Sequence, residues 1–562
     1  MESKVLNNLR FLIMSVLIIS SGGAACGDFW DVSSSKTGDQ HIESILEGMT
    51  DEEMVGQVLM LGYLGSEPSD EFLQWIEEWN VGGVKVFGWN TSSLTSLARG
   101  IGTMQKAAVS TPLAIPLFVA TDQEGGWVRH VKGETSITPG NMAIGASGIA
   151  YDSYTSGFII GTELSILGIN MNFAPTVDVY TNPEAHVIGP RAFSSDPAKT
   201  AFLSLAFYHG LERTGVISTA KHFPGHGNAA EDSHSTLPVI NDTFSKIWDR
   251  DLLPYRLLIR EGLPSVMSGH LSFPLISGEN SPSSLSSVFL KDILRDRMQF
   301  NGIVITDDMK MYGVRSAGKD IPTICEMAII AGNDMIMISR PPEDQLEVRR
   351  HLLRRMEEDR LLRRAIKESV RRILRIKLRY LHEQGKEALF PNLDDVREKL
   401  PEKSGRSFFF DLAFRSTTLV RDENFPPKIE ADAKVLLVGQ YSGFFSEGTN
   451  RFGGADTFSF SYTGPSEQEA GDLRKIAGTY DLIIVCLANA GSLAALDILS
   501  GYADRVAVLS VLTPVYLRDA PWVKSAVAVY GTGMESYKAG FAAIAGDYVP
   551  EGELPVAFPP PE

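Results

Sequence analysis

The stretch Lys221-His222-Phe223-Pro224-Gly225-His226-Gly227, followed by Asp232-Ser233-His234, gathers three of the chain's ten histidines with a lysine and an aspartate. Two chemistries suit that density. His226, Asp232 and His234 offer the donor types of a zinc site, although their spacing matches no usual zinc pattern. Alternatively, Asp232 two residues before His234 lets a carboxylate orient an imidazole and raise its basicity, as a general acid/base requires. Pro224 and the glycines around it suit a loop that moves over a ligand. A second candidate is Thr306-Asp307-Asp308, after the apolar run Gly302 to Ile305. Adjacent carboxylates at a buried strand end are costly unless paired or used, and capping of the next helix accounts for only one. Thr121-Asp122-Gln123-Glu124-Gly125-Gly126 sets an acid at another strand end, before glycines that permit a tight turn. For Ser268-Gly269-His270, a structural turn explains the residues as well as a function does.

The elements that must carry these groups follow from apolar runs. They are Gln57 to Leu64, Gly83 to Phe87, Leu117 to Ala120, Met171 to Ala174, Val216 to Ala220, Pro264 to Met267, Gly302 to Ile305 and Asp334 to Ile338. The stretches between them are long enough for helices, and Thr50-Asp51-Glu52-Glu53 reads as a capping box. Near-continuous apolar strands alternating with helices predict a parallel sheet. Eight such units predict a (β/α)8 TIM-like barrel over 41–385, with a doubly wound open sheet as the alternative. In a barrel, all four polar segments fall on the C-terminal rim. The Arg- and Glu-rich stretch 341–385 reads as solvated helix closing the barrel. Residues 386–405, with Pro391, Pro401 and many charges, read as a linker. A second rhythm, with strand candidates Lys434 to Val438, Leu482 to Cys486, Val506 to Leu512 and Ser525 to Tyr530, predicts an α/β sandwich domain over 406–562. The stretch Tyr441 to Gly454 either reaches over the barrel rim or lies on that sandwich.

The bulk composition excludes little about neutral ligands and more about polyanions. Of 562 residues, 44% are hydrophobic and 22% charged, and Lys plus Arg is 52 against 69 Asp plus Glu, a net charge of −17. That balance disfavours nucleic acid and broad binding to anionic lipid. Cys325 and Cys486 sit in apolar runs and read as small core residues. Lys4 and Arg10 precede the apolar run Phe11 to Ser20, the pattern of a secretory signal over residues 1–26. Gly23-Ala24-Ala25-Cys26 resembles a bacterial lipobox, with Gly23 where Leu is usual. Cys26 is therefore the expected lipidation site, residues 27–40 a tether, and the cell envelope the expected location; plain secretion is the alternative.

On these motifs the chain resembles glycoside hydrolase family 3, in its bacterial β-N-acetylglucosaminidase group of the cell-wall recycling type. Lys221 to His234 is the most specific piece and sets the group apart from the family's β-glucosidases. Gly189-Pro190-Arg191-Ala192-Phe193, Asn172 to Asp178, Asp334-Met335 and the closing run Gly552 to Val556 also fit. The resemblance implies Asp307 as nucleophile and His234, polarised by Asp232, as acid/base. It implies Asp122, Arg191, Lys221 and His222 as holders of the first sugar and Asp178 as a supporting acid. Trp127 departs from the group's frequent Arg and could stack on a sugar or pack. The implied activity is retaining, exo-acting hydrolysis of terminal β-linked N-acetylglucosamine by a monomer, with no metal or cofactor. Transfer to phosphate, another family 3 glycosidase and a non-catalytic sugar-binding lipoprotein are the alternatives.

Overall fold

A computed structural model describes residues 28–32, 37–339, 341–430 and 432–557. The expected signal, Cys26 and much of the expected tether lie outside the described residues. Each of the eight expected strands is present: β1 Leu59–Gly62, β2 Gly83–Val86, β3 Phe118–Thr121, β4 Met171–Asn172, β5 Ile217–Phe223, β6 Ser265–Ser268, β7 Ile303–Thr306 and β8 Ile336–Ile338. All are fully buried, as strands flanked by helices on the outside and by side chains within must be. They run parallel in the order β8-β1-β2-β3-β4-β5-β6-β7, and a parallel bridge between Ile305 and Met335 brings β7 beside β8. This is the TIM-like barrel, not an open sheet. Asp334 pins the closure: its carboxylate accepts from Val304 N at 2.7 Å, Arg295 at 2.6 Å and Arg372 at 2.7 Å. The Thr50–Glu53 capping box forms as read.

Two boundaries differ from the sequence reading. The stretch read as a linker, 386–405, holds a 3-10 turn Lys386–Leu389 and a helix Leu393–Lys399, and Leu389, Val396 and Leu400 are buried in the barrel's core. Its charges line the outer face of a packed helix. The tether is also partly docked. Phe29 is fully buried, its N–H donates to Leu113 O at 3.1 Å, and Trp30 donates to Ala114 O at 2.9 Å while stacking on His382. Leu113 and Ala114 precede β3, so this contact is on the barrel face opposite the rim. No described helix is long and apolar enough to cross a membrane.

The second domain is a six-stranded sheet. Its strands are β9 Thr418–Asp422, β10 Val435–Gly439, β11 Asp456–Ser459, β12 Leu482–Leu487, β13 Val506–Ser510 and β14 Ser525–Ala528, in the order β9-β14-β13-β12-β10-β11. Only β9 is antiparallel to its neighbour. Separate apolar clusters cover the two faces, the layout of an α/β sandwich. Cys325 and Cys486 are buried and free. Tyr441 to Gly454 forms mostly a helix, Ser442–Arg451, with Phe444 buried in this domain's own core, so it belongs to the sandwich.

The two domains meet behind one rim segment of the barrel. Met142, Tyr180, Ile188 and Ala192 share a buried cluster with Val515, Tyr530 and Val556. The closing run straps across it: Pro555 O accepts from Ser195 N at 2.9 Å and Ser194 Oγ at 2.6 Å. Gly145 is required there, because a Cβ would stand 1.7 Å from Phe193 O.

Candidate active site

At the C-terminal rim a cavity of about 330 Å³ is lined by residues that include Asp122, Glu124, Arg191, Lys221, His222, His234 and Asp307. A rim site is what the barrel predicts, since strand ends and the loops after them converge there. Successive strand residues face opposite sides, so Lys221 and His222 could not both reach the cavity from a regular strand. Pairing of β5 with β6 shifts register between Ala220 and Phe223, and this irregularity delivers both.

One wall is a charge network. Lys221 Nζ lies 2.5 Å from Asp122 Oδ1 and 2.6 Å from Glu124 Oε1. Arg191 grips Glu124 with two hydrogen bonds of 2.9 and 2.8 Å, the fork geometry that fixes both side chains. Lys85, the only charged residue of β2, reaches Asp122 Oδ2 at 2.7 Å, and its ammonium stands over Phe87 and Phe173. Burial pushes the Glu124 carboxyl up, but Arg191 and Lys221 more than reverse this and hold it down at about 2. Asp122 is only partly buried; desolvation pushes its carboxyl up, yet Lys221 and Lys85 hold it well below the usual range. Burial and the nearby Lys85 push His130 down to about 4, so it is neutral at ordinary pH.

A second group centres on Asp178. Its carboxylate meets His222 Nδ1 at 2.7 Å and the His226 N–H at 2.7 Å. His222 Nε2 in turn lies 3.2 Å from Arg191, joining the two groups. Asp178 is therefore a fully buried organiser of this wall, set back from the cavity.

The paired acids divide. Asp307 faces the cavity at the end of β7, and its Oδ1 accepts the Asp308 N–H at 2.8 Å. Burial works against its charge, but His222, His270 and that N–H pull it below the usual carboxylate range. Asp308 accepts backbone N–H groups of Lys310 and Ser339 at 3.1 and 3.3 Å, and burial pushes it up. Environment thus separates two neighbouring carboxyls into one readily ionised and one less so, a pattern that assigns roles. His270 stands behind them, bonded to Ser284 and Asp308 O, outside the cavity.

Asp232 Oδ1 lies 2.7 Å from His234 Nδ1, which turns His234 Nε2 outward; the side chains are 45% and 66% exposed. His226 points instead to Ser233 Oγ at 3.2 Å. Among the described residues no three His, Cys, Asp or Glu side chains are grouped to hold a metal ion. Trp127 is exposed in the turn after Gly126, whose φ of +60° favours glycine, and it is not part of the cavity wall. Asp307, His234, Asp122, Arg191, Lys221 and His222 all line this cavity, whereas Asp232 stands behind His234, and Asp178 and His270 lie behind the wall. Glu124, Lys85 and His130 are additions. Lys85 had a signal, a lone cation in an apolar run; Glu124 had only its place beside Asp122.

Among the described residues, none of the second domain lines the cavity. Its contribution is indirect, since the interdomain cluster lies behind Ile188 to Ala192, the segment that carries Arg191.

Residues 49–376 match the family model described as the glycosyl hydrolase family 3 N terminal domain. The chain is 31% identical over 418 residues to a β-hexosaminidase A of Pseudoalteromonas piscicida, covering 67% of this chain and 68% of that one. Its structure is similar to that of a family 3 β-N-acetylglucosaminidase from Paenibacillus sp., with a TM-score of 0.83, 29% identity and coverage of 91% of this chain and 99% of the other. It is also similar to a fungal multi-domain family 3 β-N-acetylglucosaminidase (TM-score 0.81, 28% identity), covering 91% of this chain but 61% of that longer one.

Proposed function

Because this chain belongs to glycosyl hydrolase family 3, and so is a glycoside hydrolase, we propose that it is a retaining, exo-acting β-N-acetylglucosaminidase. The observation that carries the reading is that a partly buried Asp307, its carboxyl held below the usual range, and the outward His234 line one cavity beside the Asp122–Lys221–Glu124–Arg191 network. A carboxylate nucleophile and a separate acid are what retaining hydrolysis needs. Asp307 attacks the anomeric carbon as its bond to the leaving oxygen breaks, and His234 gives that oxygen its proton. His234 then takes a proton from water, which displaces Asp307 from the sugar. Asp232 fixes the imidazole's tautomer and stabilises its charged form. Asp122, Arg191, Lys221 and His222 hold the sugar through its polar groups. The names of the relatives support N-acetylglucosamine as the sugar. The leader residues support a further part of the reading, that Cys26 carries lipid and keeps the enzyme at the cell envelope.

The test is nitrophenol release from the β-N-acetylglucosaminide, with the β-glucoside as control, for the wild type, Asp307→Ala and His234→Ala. Activity on the first substrate alone, abolished in Asp307→Ala and strongly reduced in His234→Ala, is expected. Indifference to both substitutions would refute the assignment. Added phosphate distinguishes water from phosphate as acceptor: hydrolysis gives the free sugar at any phosphate concentration.

A further inference from the structure

The loop with the acid/base is exposed at Asp232 and His234, yet Ser233 between them is only 4% exposed and lies on the cavity wall. It is held from two directions. Its hydroxyl lies 3.2 Å from His226 Nε2, and the His226 backbone N–H is fixed on Asp178. Its carbonyl accepts the Gly313 N–H at 2.9 Å. Gly313 starts from the other catalytic half: it sits in the short helix Tyr312–Arg315 that follows Asp307 and Asp308. The approach is close, since a Cβ at Gly313 would stand 3.0 Å from Ser233 O and 3.1 Å from His270 Cβ. Burial, with His222 nearby, holds His226 down at about 4, so the ring stays neutral and keeps one nitrogen free to accept. Two exposed residues flanking one doubly anchored residue cannot both swing without breaking those anchors.

Resting on the reading above, we propose that Ser233 is a positioning residue that locks the acid/base loop to the nucleophile's loop and so aims His234 at the leaving oxygen. Its hydroxyl does no chemistry; it sets where the proton donor stands. The signature is dependence on the leaving group. An aryl glycoside with a poor leaving group, such as phenol, needs His234's proton, whereas dinitrophenolate departs with little help.

The experiment compares kcat/KM on phenyl and dinitrophenyl β-N-acetylglucosaminides for the full chain and its variants. General acid catalysis contributes about 10²–10⁴-fold, and a misaimed donor forfeits part of it. Ser233→Ala should therefore lose about tenfold more on the phenyl than on the dinitrophenyl substrate, and Ser233→Thr, which keeps the hydroxyl, should restore the ratio. Gly313→Ala crowds the Ser233 carbonyl and so displaces the second anchor; it is read by the same ratio, which serves if Ser233→Ala does not fold. Equal losses on both substrates, or no loss, would overturn the proposal. A wild type inactive on these glycosides would instead remove the sugar assignment, and the ratio is then taken on the β-glycoside that is turned over.

Discussion

Glu124→Gln tests the charge network through stability. The carboxylate is buried between Arg191 and Lys221, both of which it contacts at 2.6–2.9 Å. Gln keeps the shape and removes the charge, leaving the buried Lys221 and the mostly buried Arg191 with one partner fewer. Breaking a buried pair in this way costs about 3–5 kcal/mol. Linkage gives an independent figure. A carboxyl at about 2 when folded and 4.5 when unfolded adds about 3 kcal/mol at neutral pH. The folded value is the lower one, so this stability is complete above the unfolded value and is lost as pH falls through the folded one. At about pH 3 roughly half remains. Urea unfolding of wild type and variant at neutral pH and near pH 3 should thus show a gap that shrinks by about 2 kcal/mol in acid. A gap unchanged or widened at the lower pH would show that Glu124 is not held ionised by its partners, and the network as described would be wrong.

Lys85→Met should raise KM for the glycoside about tenfold with a smaller effect on kcat, since Asp122 loses one of its two lysines while Asp307 is untouched; steady-state kinetics decide it. Val556→Asp buries an unpaired carboxylate in the interdomain cluster and should lower the unfolding temperature through a cost of several kcal/mol, with KM rising because the segment bearing Arg191 is loosened. Cys26→Ala should shift the protein from the detergent-extracted membrane fraction to the soluble fraction, read by immunoblot.

All eight barrel strands were legible because each is buried on both faces and so reads as a near-continuous apolar run, interrupted only by single polar residues such as Lys85 and Asn172 or the pair Ser218-Thr219. The same logic located Asp122 and Asp307, which interrupt such runs at their ends. Two strands of the second domain were not legible. β11, Asp456–Ser459, is a largely exposed edge strand with no apolar run, and β9 pairs antiparallel with only partial burial. Residues 386–405 looked like a linker because prolines and charges are local signals, whereas the burial of Val396 and Leu400 is tertiary. Glu124 was invisible for a similar reason: its partners lie 67 and 97 residues away in the chain, and no periodicity links them.

On the proposed lipidation of Cys26, the docking of Phe29 and Trp30 would also set an orientation. They lie beside Leu113, Ala114 and His382, on the face of the barrel remote from the catalytic mouth. Cys26 precedes Phe29 by three residues in the sequence, a separation that chain length limits to about 10 Å. A lipid on Cys26 would hold the floor of the barrel close to the bilayer and turn the mouth away from it. The enzyme would then graze on glycan presented by the compartment in front of it, and sugar borne on the membrane beneath would be out of reach.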